Sequence, residues 1–299
     1  MNVKDRDFLS PEVISRISSL DLIARFVVEG FITGLHQSPY HGFSAEFAEH
    51  RQYIAGDPLR YMDWKVYGRS DRLYIKRFEE ETNLIAHLIV DVSGSMGFRD
   101  RGFVTKYRYA SVIASALAHL MIRQRDSVGL VTFSDTLKTY IRSRSVQSHV
   151  HEIIRALSHA EPDGRTVTGD ILDTLAERIS GRGLIVLISD LILDDDELLR
   201  GLRHFRYNGH EVLVFHIMDP MERDFDYSSD VRFIDMETDE KITTQPWHIR
   251  DTYRSMQDER LSSLQHAMHD ISVDYSLFTT DVPFDRALSS YLAKRKRLF

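Results

Sequence analysis

The apolar positions of this chain follow two rhythms, and the change between them falls near residue 83. Leu84 to Val92 (Leu-Ile-Ala-His-Leu-Ile-Val-Asp-Val) is almost continuously apolar, the pattern of a strand covered on both faces. Gly183 to Ser189 repeats it, and Ser127 to Phe133, Thr139 to Ser143, Glu211 to Met218 and Val273 to Thr279 also read as strands. Between them the spacing predicts helices over Lys106–Arg123, Val146–His159, Gly169–Ile179, Asp195–Phe205, Trp247–Asp270 and Phe284–Arg297. Val231 to Thr244 reads as a hairpin, with Thr238-Asp239-Glu240 near its turn. Strands alternating with helices of this length predict an α/β fold, a mainly parallel sheet flanked by helices.

Upstream the rhythm differs. Pro11 to Gly30 reads as one amphipathic helix, with Ser10 as its cap, Pro11 in its first turn and Val13, Ile14, Ile17, Leu20 and Ile23 at helical spacing. Residues 34–81 are rich in Gly, aromatics and charge, with turns at Ser38-Pro39 and Gly56-Asp57-Pro58 and alternation over Arg72–Phe78. They predict a small β-rich subdomain. The expected organisation is therefore a helical segment over 1–33, the subdomain over 34–82 and the α/β domain over 83–299.

Composition narrows the chemistry. The hydrophobic fraction of 42% and the 299 residues suffice for a sizeable core. The net charge of −7, with both signs interspersed, argues against a nucleic-acid binder. There are no cysteines, which excludes disulfides, thiolate metal sites and cysteine nucleophiles. No signal peptide and no apolar run long enough for a transmembrane segment is visible, so a cytoplasmic setting is expected.

Three separated pieces carry candidate chemistry: Asp91-Val-Ser93-Gly-Ser95 after the first buried strand, Gly164-Arg-Thr166-Val-Thr168-Gly169 before a helix, and Ser189-Asp190 ending another buried strand. Taken singly, each serves as a turn or a cap. Together, at the carboxyl ends of strands in an open α/β sheet, they face the crevice where such folds bind ligands. Asp91, Ser93, Ser95, Thr166 and Asp190 all offer oxygen, the donor Mg²⁺ prefers, with Mn²⁺ also suited. If the hydroxyls bind directly and the carboxylates act largely through water, the ion keeps positive charge for an outside carboxylate. Gly94 is expected to permit the tight turn between the serines.

Asp-x-Ser-x-Ser with a distal Thr and Asp resembles the metal-ion-dependent adhesion site of von Willebrand factor A domains, over Asn83 to about Thr280. Arg165 stands where many relatives have Gly, and both Thr166 and Thr168 are candidates to reach the metal. A second resemblance covers Gly42 to Ser95: Gly42-Phe-Ser-Ala-Glu46, Arg51-Gln-Tyr53, Gly56-Asp57-Pro-Leu-Arg60, Asp63-Trp64-Lys65 and Phe78-Glu79-Glu80. It resembles domain-of-unknown-function family 58, von Willebrand factor A-like proteins often encoded beside MoxR-type AAA+ ATPases. The resemblance implies a protein-interaction module, not an enzyme, that partners such an ATPase or a client protein complex in a chaperone-like role. Packing and ion pairing within the subdomain explain most of these motif residues without function; Arg51, Arg60 and Lys65 are candidates for a partner surface.

Other signals fail. His151-Glu152-Ile-Ile-Arg155 lacks the second His of a metalloprotease helix. Gly-x-Ser-x-Gly fails by spacing at Gly94-Ser95-Met-Gly97, and no Walker A sequence occurs. A metal-dependent hydrolase of phosphate or acyl esters is the alternative function, and it needs a general base that the sequence does not name. Asp194-Asp195-Asp196 is expected to cap a helix, Lys294-Arg-Lys-Arg297 to be a solvated helix end, and His266 and His269 to lie on the surface.

Overall fold

The computed structural model describes residues 10–36, 50–52, 62, 64–70, 73–76, 84–164, 169–228, 230–234 and 241–298. The chain divides into two compact units, Met1–Gly34 with Leu84–Phe299, and Leu35–Asn83.

The larger unit begins with two helices, α1 (Pro11–Ile14) and α2 (Leu20–His36), where the sequence pattern suggests one. The break has a tertiary cause. The Arg108 guanidinium donates to the carbonyls of Ile17 and Ser18 at 3.2 and 3.1 Å, and Ser19 Oγ accepts from Leu22 N to start the new helix. Ser10 makes no side-chain cap. In the smaller unit, β1 (His50–Gln52) pairs antiparallel with β2 (Tyr74–Lys76), and α3 (Trp64–Ser70) lies between them in sequence.

The α/β pattern then follows as β3 (Ile85–Asp91), α4 (Lys106–Arg123), β4 (Ser127–Phe133), β5 (Leu137–Arg144), α5 (Gln147–His159), α6 (Gly169–Arg178), β6 (Leu184–Ser189), α7 (Asp195–Tyr207) and β7 (Glu211–Met218). After them come α8 (Pro220–Asp224), a short helix that the spacing of residues does not predict, the antiparallel pair β8 (Val231–Ile234) and β9 (Lys241–Thr244), α9 (Pro246–Asp270), β10 (Asp274–Thr279) and α10 (Asp285–Leu298).

The six-stranded sheet has the order β10-β7-β6-β3-β4-β5. All pairings are parallel except β4 with the edge strand β5. β3, β6 and β7 are buried almost throughout, as their continuous apolar runs require. One core face gathers Ile89, Leu187, Val214, Leu172, Leu202 and Phe205 beneath α6 and α7. On α4, sixteen of eighteen residues are buried, so this helix is enclosed rather than amphipathic. Its alanines admit close neighbours, and Tyr109 stacks on Phe284 at 4.6 Å and donates to Val282 O at 2.8 Å. The strand order reverses between β3 and β6, which makes their carboxyl ends the switch point of the sheet.

Lys294 departs from the expected solvated tail. It is buried, and its ammonium pairs with Glu211 at 2.7 Å and Asp274 at 2.8 Å, pinning α10 to the starts of β7 and β10. Asp194 caps α7 through the amides of Asp196 and Glu197, and His266 and His269 are exposed.

Candidate metal centre

Asp91 ends β3 and is wholly buried. Its Oδ1 accepts from Ser93 N at 2.8 Å, which closes the turn, and its Oδ2 accepts from Ser189 Oγ at 2.6 Å. A single turn of 3-10 helix, Gly94–Gly97, follows and brings Ser93 Oγ within 3.0 Å of Ser95 Oγ. Gly94 is not needed for left-handed backbone: the described glycines with positive φ are Gly164, Gly181 and Gly209. Its N–H instead donates to Gly164 O at 2.9 Å, while Asp163 N donates to Val92 O at 2.9 Å. These two bonds dock the 163–164 loop against the Asp91 turn. Gly164 has φ +82°, and an added Cβ would come within 3.1 Å of Ser134 Oγ, so glycine suits this corner.

Asp190, just past β6, completes the convergence from across the switch point. Its Oδ1 accepts from Ile192 N at 3.3 Å, and its Oδ2 takes the Lys106 ammonium at 2.8 Å. Lys106 opens α4, is fully buried, and also reaches Glu222 Oε1 on α8 at 2.5 Å. Asp219 shapes the neighbouring loop by accepting from the amides of Asp100, Arg101, Gly102 and Met221.

The electrostatics follow from burial. Loss of water pushes the Asp91 carboxyl up to about 7, the negative charge of Asp190 adds to the push, and the Ser189 hydroxyl and Ser93 amide oppose it. Burial pulls the Lys106 ammonium down, but Asp190 and Glu222 outweigh it and leave the group above its ordinary value. Glu222 is raised by burial, with Lys106 acting against that.

The structure thus brings Asp91, Ser93, Ser95 and Asp190 to one place. Thr166, Thr168 and Arg165 lie outside the described residues, although Gly164, two positions before Thr166, is bonded to the Asp91 turn. Arg60 also lies outside them; Arg51 sits in β1 opposite Ile75, and Lys65 is the second residue of α3. Among the described residues no three His, Asp or Glu side chains group as a metal cluster. A cation here would rest on two carboxylates and several hydroxyls, and that donor set fits Mg²⁺ or Mn²⁺ rather than zinc.

Sequence spacing singles out the Ser189-Asp190 pair but gives the Ser189 side chain no role, and it does not single out Lys106. Ser189 gives no signal beyond its place at a strand end. Lys106 gives one: a cation in the first turn of a helix opposes the macrodipole and calls for a carboxylate nearby.

This strand order, with a Ser-rich turn after the first strand and an aspartate across the switch point, defines a von Willebrand factor A-like α/β domain. The chain belongs to the family described as "Protein of unknown function DUF58", whose model matches residues 49–262. It is 27% identical over 235 residues to the uncharacterized protein Rv1480 of Mycobacterium tuberculosis (strain ATCC 25618 / H37Rv), covering 78% of this chain and 73% of that protein. The uncharacterized protein Mb1516 of Mycobacterium bovis matches equally. Among solved structures, an aerotolerance-related membrane protein from Bacteroides fragilis is similar in fold, with a TM-score of 0.50, 16% identity and coverage of 71% of this chain and 99% of that one. The SpRpn10 VWA domain has a TM-score of 0.43 at 11% identity, covering 69% of this chain and 94% of that domain. Among the described residues no helix is long and apolar enough to cross a membrane.

Proposed function

We propose that this protein is a metal-dependent protein-interaction module of the cytoplasm, holding Mg²⁺ (or Mn²⁺) through Asp91, Ser93, Ser95, Asp190 and one of Thr166 and Thr168. One observation carries the reading. Asp91 and Asp190 are both buried at the switch point, and the ammonium beside them is bonded to Asp190 and shared with Glu222. A buried carboxylate without a counter-charge is costly, and a fold that keeps one beside two serine hydroxyls has the makings of a cation site. When bound, the ion supplies an electrophilic position for a carboxylate of a partner. The family resemblance makes a MoxR-type AAA+ ATPase, or a client complex it acts on, the partner to test.

The hydrolytic alternative needs a base at the metal. The imidazole beside Asp190, His216, has its Nδ1 2.7 Å from Tyr275 OH and is pulled down to about 4, chiefly by burial, which makes it a weak base.

Retention of the ATPase on immobilised full-length chain tests the proposal. Retention is expected in Mg²⁺, with at least a tenfold loss in EDTA or on Asp91→Ala. Equal retention in EDTA overturns it.

A further inference from the structure

Lys106 is an unusual place for a positive charge. It is fully buried, and it occupies the first turn of α4, the end at which the helix dipole disfavours cations. Its Nζ lies 2.8 Å from Asp190 Oδ2, 2.5 Å from Glu222 Oε1 and 5.6 Å from the centroid of the Phe98 ring. Asp91, on the other side of the switch point, has no such cationic partner among the described residues: its oxygens take the Ser189 hydroxyl and the amide and hydroxyl of Ser93. Asp190 and Glu222 share one ammonium while Asp91, which the charge of Asp190 opposes, has none, and with all three carboxyls ionised the set carries a formal excess of two negative charges. A single divalent cation neutralises it.

We propose that Lys106 is a resident counter-ion of the metal centre: it competes with the divalent cation for Asp190 and so sets the affinity of the centre, and Glu222 moderates it by drawing the ammonium the other way. This rests on the metal centre proposed above. With the ammonium in place, the unloaded site keeps Asp190 compensated and the chain folded. With the ion in place, the same ammonium repels it and weakens its hold. Lys106 is a positioning residue, acting on the metal through Asp190. Glu222 is tied to the α8 capping box, accepting from Asp219 N at 2.8 Å, so the moderating carboxylate is fixed by the backbone.

The two variants have opposite signs. Lys106→Met leaves the centre more negative, and Mn²⁺ binding to the full-length chain is expected to tighten at least tenfold. Glu222→Gln leaves it less negative while keeping an oxygen for Asp219 N, and binding is expected to weaken at least threefold. Lys106→Arg keeps the charge and is expected to stay near wild type. Dissociation constants come from electron paramagnetic resonance of free Mn²⁺, and thermal melts in EDTA and in Mn²⁺ accompany them. A lowered melting temperature for Lys106→Met in EDTA, restored by Mn²⁺, fits the proposal. A lowered melting temperature with the Mn²⁺ constant unchanged makes Lys106 a packing residue and overturns it. Should Lys106→Met fail to fold, Glu222→Gln decides: weakened binding supports the proposal and unchanged binding overturns it. A wild-type chain that binds no Mn²⁺ removes the metal centre and this inference together, whereas wild-type binding lost in Asp91→Ala but indifferent to Lys106 and Glu222 removes this inference alone.

Discussion

Two sets of buried polar groups, at opposite ends of the central sheet, are handled in opposite ways. At the carboxyl end, Asp190 and Glu222 share a buried ammonium, and the buried Asp91 carboxyl is pushed up to about 7. At the amino end, where Lys294 pairs with Glu211 and Asp274, His87 and His210 sit under cover without a counter-charge of their own. Burial pulls His87 down to about 4, with His210 contributing, and His87 Nδ1 has no hydrogen-bond partner among the described residues. Burial disfavours the charged form at both ends. The two histidines yield by going neutral, whereas Asp190 and Glu222 keep a buried ammonium between them. That contrast distinguishes packed imidazoles from a cluster held by a buried ion pair.

The largest test removes the scaffold of the polar end. Asp219→Ala strands the buried amides of residues 102 and 221 and undoes the α8 capping box. It is expected to cost about 4 kcal/mol in urea unfolding, since each unsatisfied buried group costs about 1–3 kcal/mol.

Acid titration sharpens the contrast next. The folded-state value of His87 is below its ordinary 6.5, so the unfolded chain takes up the proton first, and stability is lost as pH falls from 6.5 to about 4. His87→Leu is expected to reduce that loss by about 3 kcal/mol, the equivalent of the shift at 1.36 kcal/mol per unit. Asp91 has the opposite sign. Its folded-state value lies above the ordinary 3.8, so in EDTA its contribution to stability falls as pH rises towards about 7, and Asp91→Asn is expected to flatten that slope. Denaturant melts across pH 4–8 in EDTA read both. A shared sign would dissolve the distinction between the two ends.

The smallest effect is local. Asp194→Ala removes the side-chain cap of α7 and is expected to cost about 1 kcal/mol, with the Asp91 turn unaffected.

Much of this architecture is legible in the order of residues, because β3, β6 and β7 announce full burial through unbroken apolar runs and α4 through its Ala and Leu content. Asp91, Ser93 and Ser95 are legible for a related reason, since their turn is local and its bonds span two residues. The rest depends on partners far away in sequence. Lys106 meets carboxylates 84 and 116 positions on, and Lys294 meets Glu211 83 positions back. The break between α1 and α2 depends on a guanidinium 90 residues downstream of Ser18. Local spacing carries no trace of such pairings. Only the misfit of a lysine at a helix start hints at one.

The backbone bonds from Gly94 to Gly164 and from Asp163 to Val92 bear on how quickly the proposed metal centre would capture an ion. Immobilising a free segment costs about 1–2 kcal/mol per residue in backbone entropy, and at residues 163 and 164 that loss occurs during folding. An ion arriving at the proposed centre would then have no conformational search to wait for at these two residues.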